Sequence, residues 1–566
     1  MNPSQGRARL HEWVVVGVFC AFFFFYGLAA FGLVGADEPR YAQIAREMLA
    51  RHDWVSPTLY SRVWLEKPVL YYWGAMLSYR ALGVSDWAAR IPVALLASLM
   101  VAALHLFIRR FRPGAQLHVV LIACSSAALL AFARAGSTDM PLAACFTMGL
   151  LAWLAWFQTQ EKKWLLGFYF FTAAGMLAKG PIAPALAGLI IICFALLRWD
   201  VRLVLQTLWI PGILVFLLTA MPWYVLVQLR NPQFFSEFIL RQNLARFGTN
   251  LYHHEQPFWY YLPVLLLGLL PWTVFALAAW VRVARDFFRR SAVAKDEATA
   301  DDLGKFLAIW AVVPVVFFSL SQSKLPGYIL PAIPAWVLLT VLYFTHQSTV
   351  KTRNYALWIV HALSVAGVAA FVLLAPAILQ THEMPSVSML TVPLVVAAIL
   401  AAGMIALGFW RGWQMMIAST LFIAVAATGV LLKTATPVID ATQSARPVAR
   451  YLAGSKLPVA VFQVPREIEY GLGFYFNREI PSYDAGNVPQ QEHFLVTKKD
   501  SFKELIQIMQ ARAAQGQGTR VRCSGESMLQ PDTSFRSPVF DLYRVSSEPS
   551  CIEIFPAAGG ILSGKK

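Results

Sequence analysis

"WVVVGVFCAFFFFYGLAAFGL" (Trp13–Leu33) carries no charged residue and is long enough to cross a bilayer as a helix. Within a few positions come Asp37, Glu38 and Arg40, in "DEPRYAQIAREM" (Asp37–Met48). The small residues Val34 to Ala36 would suit a signal-peptide cleavage site. The run is longer than a usual signal core, and many similar runs follow it. It therefore reads as a start-transfer anchor, with two carboxylates and a guanidinium at its outer edge.

The rest of the chain agrees. Of 566 residues, 58% are hydrophobic and 14% charged, and the mean hydropathy is +0.56, far from the range of soluble domains. Apolar runs of spanning length number about thirteen: 13–33, 87–108, 117–133, 139–158, 165–178, 181–197, 203–228, 259–281, 305–320, 327–345, 355–378, 388–409 and 412–433. Lys and Arg near span ends set orientation. Arg7 and Arg9 precede the first run, and Arg109/Arg110/Arg112, Lys162/Lys163, Arg198/Arg202, Arg285/Arg289/Arg290, Lys351/Arg353 and Arg411 then all fall on the same, cytoplasmic side.

That walk puts 34–86, 134–138, the turn at Lys179, 229–258, 321–326 and everything after about 434 on the outer face. Arg40, Lys67, Arg134, Lys179, Arg241, Arg246 and Lys324 stand there, where few cations are expected, and point to an anionic ligand. The formal charge of +16 is partly ordinary topology, so no nucleic-acid partner is inferred. The expected domains are a membrane part, 1–433, with a long first outer loop (34–86), and an outer C-terminal α/β domain, 434–566. In the latter, strand-like runs and amphipathic helices mix: "PVAVFQV" (458–464), "YGLGFYFN" (470–477), "HFLVTKK" (493–499), "SFKELIQIMQARAA" (501–514) and "VFDLYRV" (539–545). "AVAKDEATADDLGK" (292–305) reads as a polar cytoplasmic loop. Cys20, Cys124, Cys145 and Cys193 sit in or beside spans, while Cys523 and Cys551 are candidates for one disulfide.

The first outer loop opens with a helical stretch in which Tyr41, Ile44, Ala45 and Met48 share one face, as in a helix lying on the membrane surface. Asp37 and Glu38 at its start suit the helix dipole, so Asp37 is either a helix cap or a carboxylate poised over a lipid head group. Asp139, opening a span in "GSTDMPL", has the same two readings; two acids at one interface would orient or deprotonate an attacking group. Lys67, in "WLEKPVLYYW", is a compact phosphate partner or a snorkelling interface lysine. Lys179 in "MLAKGPIAPAL" and Lys324 in "SQSKLPGYILPAIPA" stand at turns on the same face, consistent with a polyanionic head group between helices. In "RQNLARFGTNLYHHEQPFWYY", His253, His254 and Glu255, with Glu66, are candidates for a divalent metal, although the spacing matches no standard zinc pattern.

As an ordered set, "DEPRYAQIAREML", "LEKPVLYYW", "STDMPL", "LAKGP", "PFWYYLPVLLLGLLPW" and "SLSQSKLPGYILPAIP" resembles the bacterial GT-C membrane glycosyltransferases. The nearest branch is the lipid A aminoarabinose transferases, relatives of the protein O-mannosyltransferases. The resemblance covers Trp13 to Phe344. It implies a polytopic helical GT-C fold and a sugar donor on undecaprenyl phosphate, used at the periplasmic face of the inner membrane on lipid A or another acceptor. It also implies catalytic carboxylates among Asp37, Asp139 and Glu38. The donor phosphate would be held by Lys67, within a cavity lined by Arg40, Tyr41, Lys179, Arg246, Lys324 and Tyr328. A divalent metal (Zn, or Mg/Mn) would take Glu66 and His254. No nucleotide is expected, since the chain has no Gly-rich phosphate loop of the Walker type. The best match to the resemblance is transfer of 4-amino-4-deoxy-L-arabinose to lipid A phosphate with inversion. The alternatives are transfer of another sugar, such as mannose, to a protein or glycan, and a flippase of polyprenyl-linked lipids. Clustering of ionisable residues at one face, with no inverted repeat or broken helix pair in matching halves, speaks against a transporter.

Overall fold

The computed structural model describes residues 3–245, 248, 256–290, 298–347, 354–381, 386–489, 491–499, 501, 504–505, 507 and 529–545. It divides into two compact units, one of Met1–Ala29 with Ile44–Ala435, the other of Ala30–Gln43 with Thr436–Lys566.

The first unit is a multi-pass helical membrane body. Every apolar run of the sequence contains helix. Among the described residues, eight helices are long and apolar enough to cross a membrane, or ten if each of two bent pairs counts as one span. The three remaining runs are shorter or interrupted: Lys163–Lys179 and Ile182–Leu197 are short helices, and Pro3–Cys20 passes into a π-helical turn at Ala21–Phe25. The expected thirteen spans are therefore not all matched: among the described residues eight to ten meet the length and composition of a crossing.

The interruption after Cys20 frees backbone carbonyls inside the protein, where each needs a donor. Arg134 supplies them, its Nη1 donating to Phe23 O at 3.1 Å and Tyr26 O at 2.8 Å. The wholly buried Arg90 donates to Leu28 O at 3.0 Å. Arg134, which the sequence grouped with anion-seeking cations, is therefore a backbone cap.

The two bent pairs correct the expectation of unbroken spans. Gln116–Ser125 and Ala127–Ala133 meet at 67°, and Tyr261–Gly268 and Thr273–Asp286 at 115°. The breaks face each other: Ala127 N, freed at the first, donates to Leu270 O at the second at 2.9 Å, and a side-chain bond joins Trp272 Nε1 to Ser125 Oγ at 2.9 Å. Residues 298–305 are also not loop. They begin the helix Ala298–Ser319, and buried Asp302 forms an ion pair with Arg198.

In the first outer loop the expected helix runs Asp37–Ala50, and Tyr41, Ile44, Ala45 and Met48 are all buried. A two-stranded turn, Thr58–Leu59 with Arg62–Val63, follows. Glu47 holds it, accepting from Thr58 Oγ1 at 2.8 Å, Tyr60 N at 2.7 Å and Ser61 N at 3.1 Å.

The second unit contains a four-stranded mixed sheet. Val459–Phe462 runs parallel to His493–Lys498, which is antiparallel to Phe540–Val545, itself antiparallel to Leu529–Pro531. Side chains alternate between two apolar faces. Val459, Val461, Val496 and Leu542 pack with Ile468 and Leu472 of the helix Arg466–Phe476. Ala460, Phe462, Leu495 and Tyr543 pack with Tyr483 on the other face. The expected α/β character is present, and "YGLGFYFN" is mostly helix. Cys523 and Cys551 lie outside the described residues.

Candidate active site

Helix Asp139–Thr159 is buried almost throughout, so its N-terminal carboxylate is placed by packing on every side. Asp139 forms an ion pair with Lys179, the last residue of helix Lys163–Lys179. The side chains are only 15% (Lys179) and 18% (Asp139) exposed, which strengthens the pair relative to a surface one. The Lys179 ammonium also lies 4.8 Å from the centroid of the Tyr328 ring, a cation–π arrangement. Two glycines leave room here, Gly327 for the Asp139 carboxylate and Gly180 for the ring of Phe238. A Cβ on Gly327 would stand 2.6 Å from Asp139 Oδ1, and one on Gly180, whose φ is +93°, would stand 2.7 Å from Phe238 Cζ.

Around this cluster opens a cavity of about 370 Å³. Its polar wall holds Glu66, Lys67, Lys179, Gln242, Asn243 and Tyr328; its apolar wall includes Leu142, Ile182, Phe317 and Phe318. Lys67 Nζ donates to Glu66 O at 3.3 Å. Lys324 is buried behind this wall and donates to the carbonyl of the lining residue Ser321 at 2.6 Å. The structure thus brings together Glu66, Lys67, Lys179 and Tyr328 at one cavity, with Asp139 bound to Lys179 and Lys324 supporting the wall.

Asp37, Glu38, Arg40 and Tyr41 fall in the second unit. Asp37 is the first residue of its helix, 51% exposed and salt-bridged to Arg40. Arg40 also packs over the rings of Tyr41 and Tyr470, at 5.4 and 5.6 Å. Glu38 turns inward, 4% exposed, and accepts from Val34 N at 2.8 Å, the bond of a helix-capping carboxylate. Arg246, His253, His254 and Glu255 lie outside the described residues. Among the described residues no three His, Cys, Asp or Glu side chains gather where they could hold a metal. Of the predicted metal pair only Glu66 has a described position.

A cavity lined by two lysines and by apolar side chains suits a lipid bearing an anionic head. Residues 66–225 match the family described as dolichyl-phosphate-mannose-protein mannosyltransferase, a stretch that includes Glu66, Lys67, Asp139 and Lys179. The fold is similar to that of ArnT from Cupriavidus metallidurans, in a crystal structure bound to undecaprenyl phosphate. That likeness covers 95% of this chain and 98% of that one, with a TM-score of 0.70 and 24% identity. The chain shares that fold. Sequence relatives include an undecaprenyl phosphate-alpha-4-amino-4-deoxy-L-arabinose arabinosyl transferase of Pseudomonas aeruginosa, 30% identical over 59% of each chain. One of the same name from Serratia proteamaculans is 28% identical over 60% of each. The chain spans about three-fifths of the length of these curated relatives. The resemblance read from the motifs is borne out.

Sequence reasoning passed over several cavity residues. Gln242 and Asn243 lie in "RQNLARF", where attention went to the charged neighbours. Phe317 and Phe318 read as ordinary span residues, because nothing in an apolar run marks which side faces a cavity.

Proposed function

We propose that the chain is a glycosyltransferase that takes a sugar from a polyprenyl phosphate donor, at the periplasmic face of the bacterial inner membrane. The best specific reading is 4-amino-4-deoxy-L-arabinose, moved from undecaprenyl phosphate to a lipid A phosphate. The observation that carries it is the cavity itself, lined by Lys67 and Lys179 together with Leu142, Ile182 and Phe317. Such a shape accepts a phosphate and the first part of its lipid tail together.

In a direct displacement at the anomeric carbon the polyprenyl phosphate leaves with the electron pair of the broken C–O bond. Lys67 and Lys179 stabilise that developing charge, and preorganised cations away from bulk water do so efficiently. The acceptor attacks from the opposite face, so configuration inverts. Asp37, half-exposed at the head of its helix, is assigned as the carboxylate that acts on the acceptor. A lipid A phosphate is already ionised and needs only orientation, whereas a hydroxyl needs its proton removed.

The match to the mannosyltransferase family over 66–225 supports a second reading, mannose or another sugar transferred to a protein. Purified protein in detergent, given undecaprenyl-linked aminoarabinose and lipid A, should yield lipid A heavier by one aminopentose. Product with a protein acceptor and none with lipid A would select the second reading. Absence of transfer to either, with lipid crossing a reconstituted bilayer, would select a flippase.

A further inference from the structure

The segment Phe235–Ala245 is wound as a π-helix, a widened geometry that recurs at functional sites. It presents two successive carboxamides, Gln242 and Asn243, to the cavity that holds Lys67 and Lys179. Asn243 donates one N–H of its NH2 to Phe238 O at 2.6 Å, which leaves its carbonyl oxygen and one N–H to offer. Gln242 is only 9% exposed, and its Oε1 is buried without a hydrogen-bond partner. A buried acceptor without a donor is a cost the fold carries until something donates to it.

A fully ionised lipid phosphate has no proton to give, and the lysines already answer it. The glycosyl group, one bridging oxygen away from that phosphate, is rich in donors: hydroxyls on any sugar and an ammonium on an amino sugar. We infer that Gln242, with Asn243 beside it, is the sugar-reading edge of the donor site, its Oε1 accepting a hydrogen bond from a hydroxyl or ammonium of the glycosyl group. The inference rests on the lipid-linked-sugar reading of the cavity and adds to it a division of labour. Lysines bind the phosphate common to every polyprenyl donor, and the carboxamide distinguishes a glycosylated donor from a bare one. Sites built to accept such bonds discriminate through the group left unpaired when the wrong ligand binds.

The test compares the affinity of purified full-length protein for undecaprenyl phosphate-4-amino-4-deoxy-L-arabinose and for bare undecaprenyl phosphate. Gln242→Met keeps the side-chain length and removes the acceptor. It should weaken the glycosylated lipid about tenfold, the scale of one buried hydrogen bond, and leave the bare lipid within about twofold. Gln242→Asn, which withdraws the oxygen by one carbon, should show the same pattern and serves if the Met variant does not fold. Lys67→Ala should weaken both lipids together. Equal change in both affinities for the Gln242 variants, or no change in the glycosylated one, overturns the inference and leaves the lysine assignment intact. Wild-type protein that binds neither lipid better than undecaprenol overturns the lipid-phosphate reading itself.

Discussion

Gly327→Ala adds one methyl group where the structure has no room for it. The new carbon would stand 2.6 Å from Asp139 Oδ1, 2.7 Å from its Cγ and 2.9 Å from Phe132 Cε1. Ordinary contact begins near 3.4 Å, so the shortfall against the carboxylate is 3.4 − 2.6, about 0.8 Å. Phe132 blocks a second side, so either the carboxylate moves off Lys179 or the segment Pro326–Ala332 moves and takes Tyr328 with it. Both routes displace the ammonium from its present seat. Overpacking of this kind costs about 1–3 kcal/mol of stability. Loss of a charge-assisted contact from Lys179 to a lipid phosphate is worth about 1.5–3 kcal/mol, or about 10- to 100-fold in affinity. Thermal unfolding in detergent reads the first effect, and titration with undecaprenyl phosphate reads the second. Gly188→Ala is the matched control, because nothing lies within 4 Å of its added carbon, and it should be silent in both assays. A Gly327→Ala protein with wild-type melting and wild-type lipid affinity would refute the claim that Asp139, Lys179 and Tyr328 form a fixed cluster at the phosphate site.

Asp37→Asn keeps the size and capping ability of the residue and removes its charge. Transfer to a hydroxyl acceptor should fall about a hundredfold or more with the melting temperature unchanged, and near wild-type turnover would leave Asp37 a structural residue only. Burial, with the carboxylates of Asp484 and Glu479 nearby, raises the pKa of Glu469 above its ordinary 4.5 against the pull of Arg466. The fold therefore resists ionising it, and stability is lost as pH climbs from about 4.5 through the raised value. Glu469→Gln should melt higher than wild type at pH 7 and no higher at pH 4, and a constant difference across that range would contradict the assignment. A periplasm-dependent phosphatase fused after Val545 should be active and one fused after Arg290 silent; the reverse pattern would invert every face assigned to the site.

The membrane body was legible because a bilayer imposes a length and a composition on each crossing, and Trp13–Leu33 meets both. Lys67 and Lys179 drew attention as cations beside turns in apolar surroundings, where a polar group needs a reason, whereas Tyr328 came only with the family resemblance. What escaped the sequence is what depends on distant partners. The partners of Arg134 are carbonyls 111 and 108 residues away, and no side-chain pattern announces a backbone acceptor. Asp302 looked like loop because its partner, Arg198, is 104 residues earlier. Gln242 owes its position to π-helical winding, which shifts register without leaving a mark on the 3.6-residue periodicity.

The two broken spans have a consequence for how the protein is made. Trp272 reaches Ser125 across 147 residues, and at about 5–20 residues per second that interval takes roughly 7 to 30 seconds of synthesis. During this time the first break has left the ribosome with Ala127 N–H unmatched, a state that hydrocarbon penalises by several kcal/mol. The nascent chain must therefore wait in a wet or protein-lined environment, such as the insertion machinery, until Leu270 arrives. A ribosome stalled between the two breaks would leave a fragment suited neither to lipid nor to water, and such a fragment should be a preferred substrate for membrane proteases.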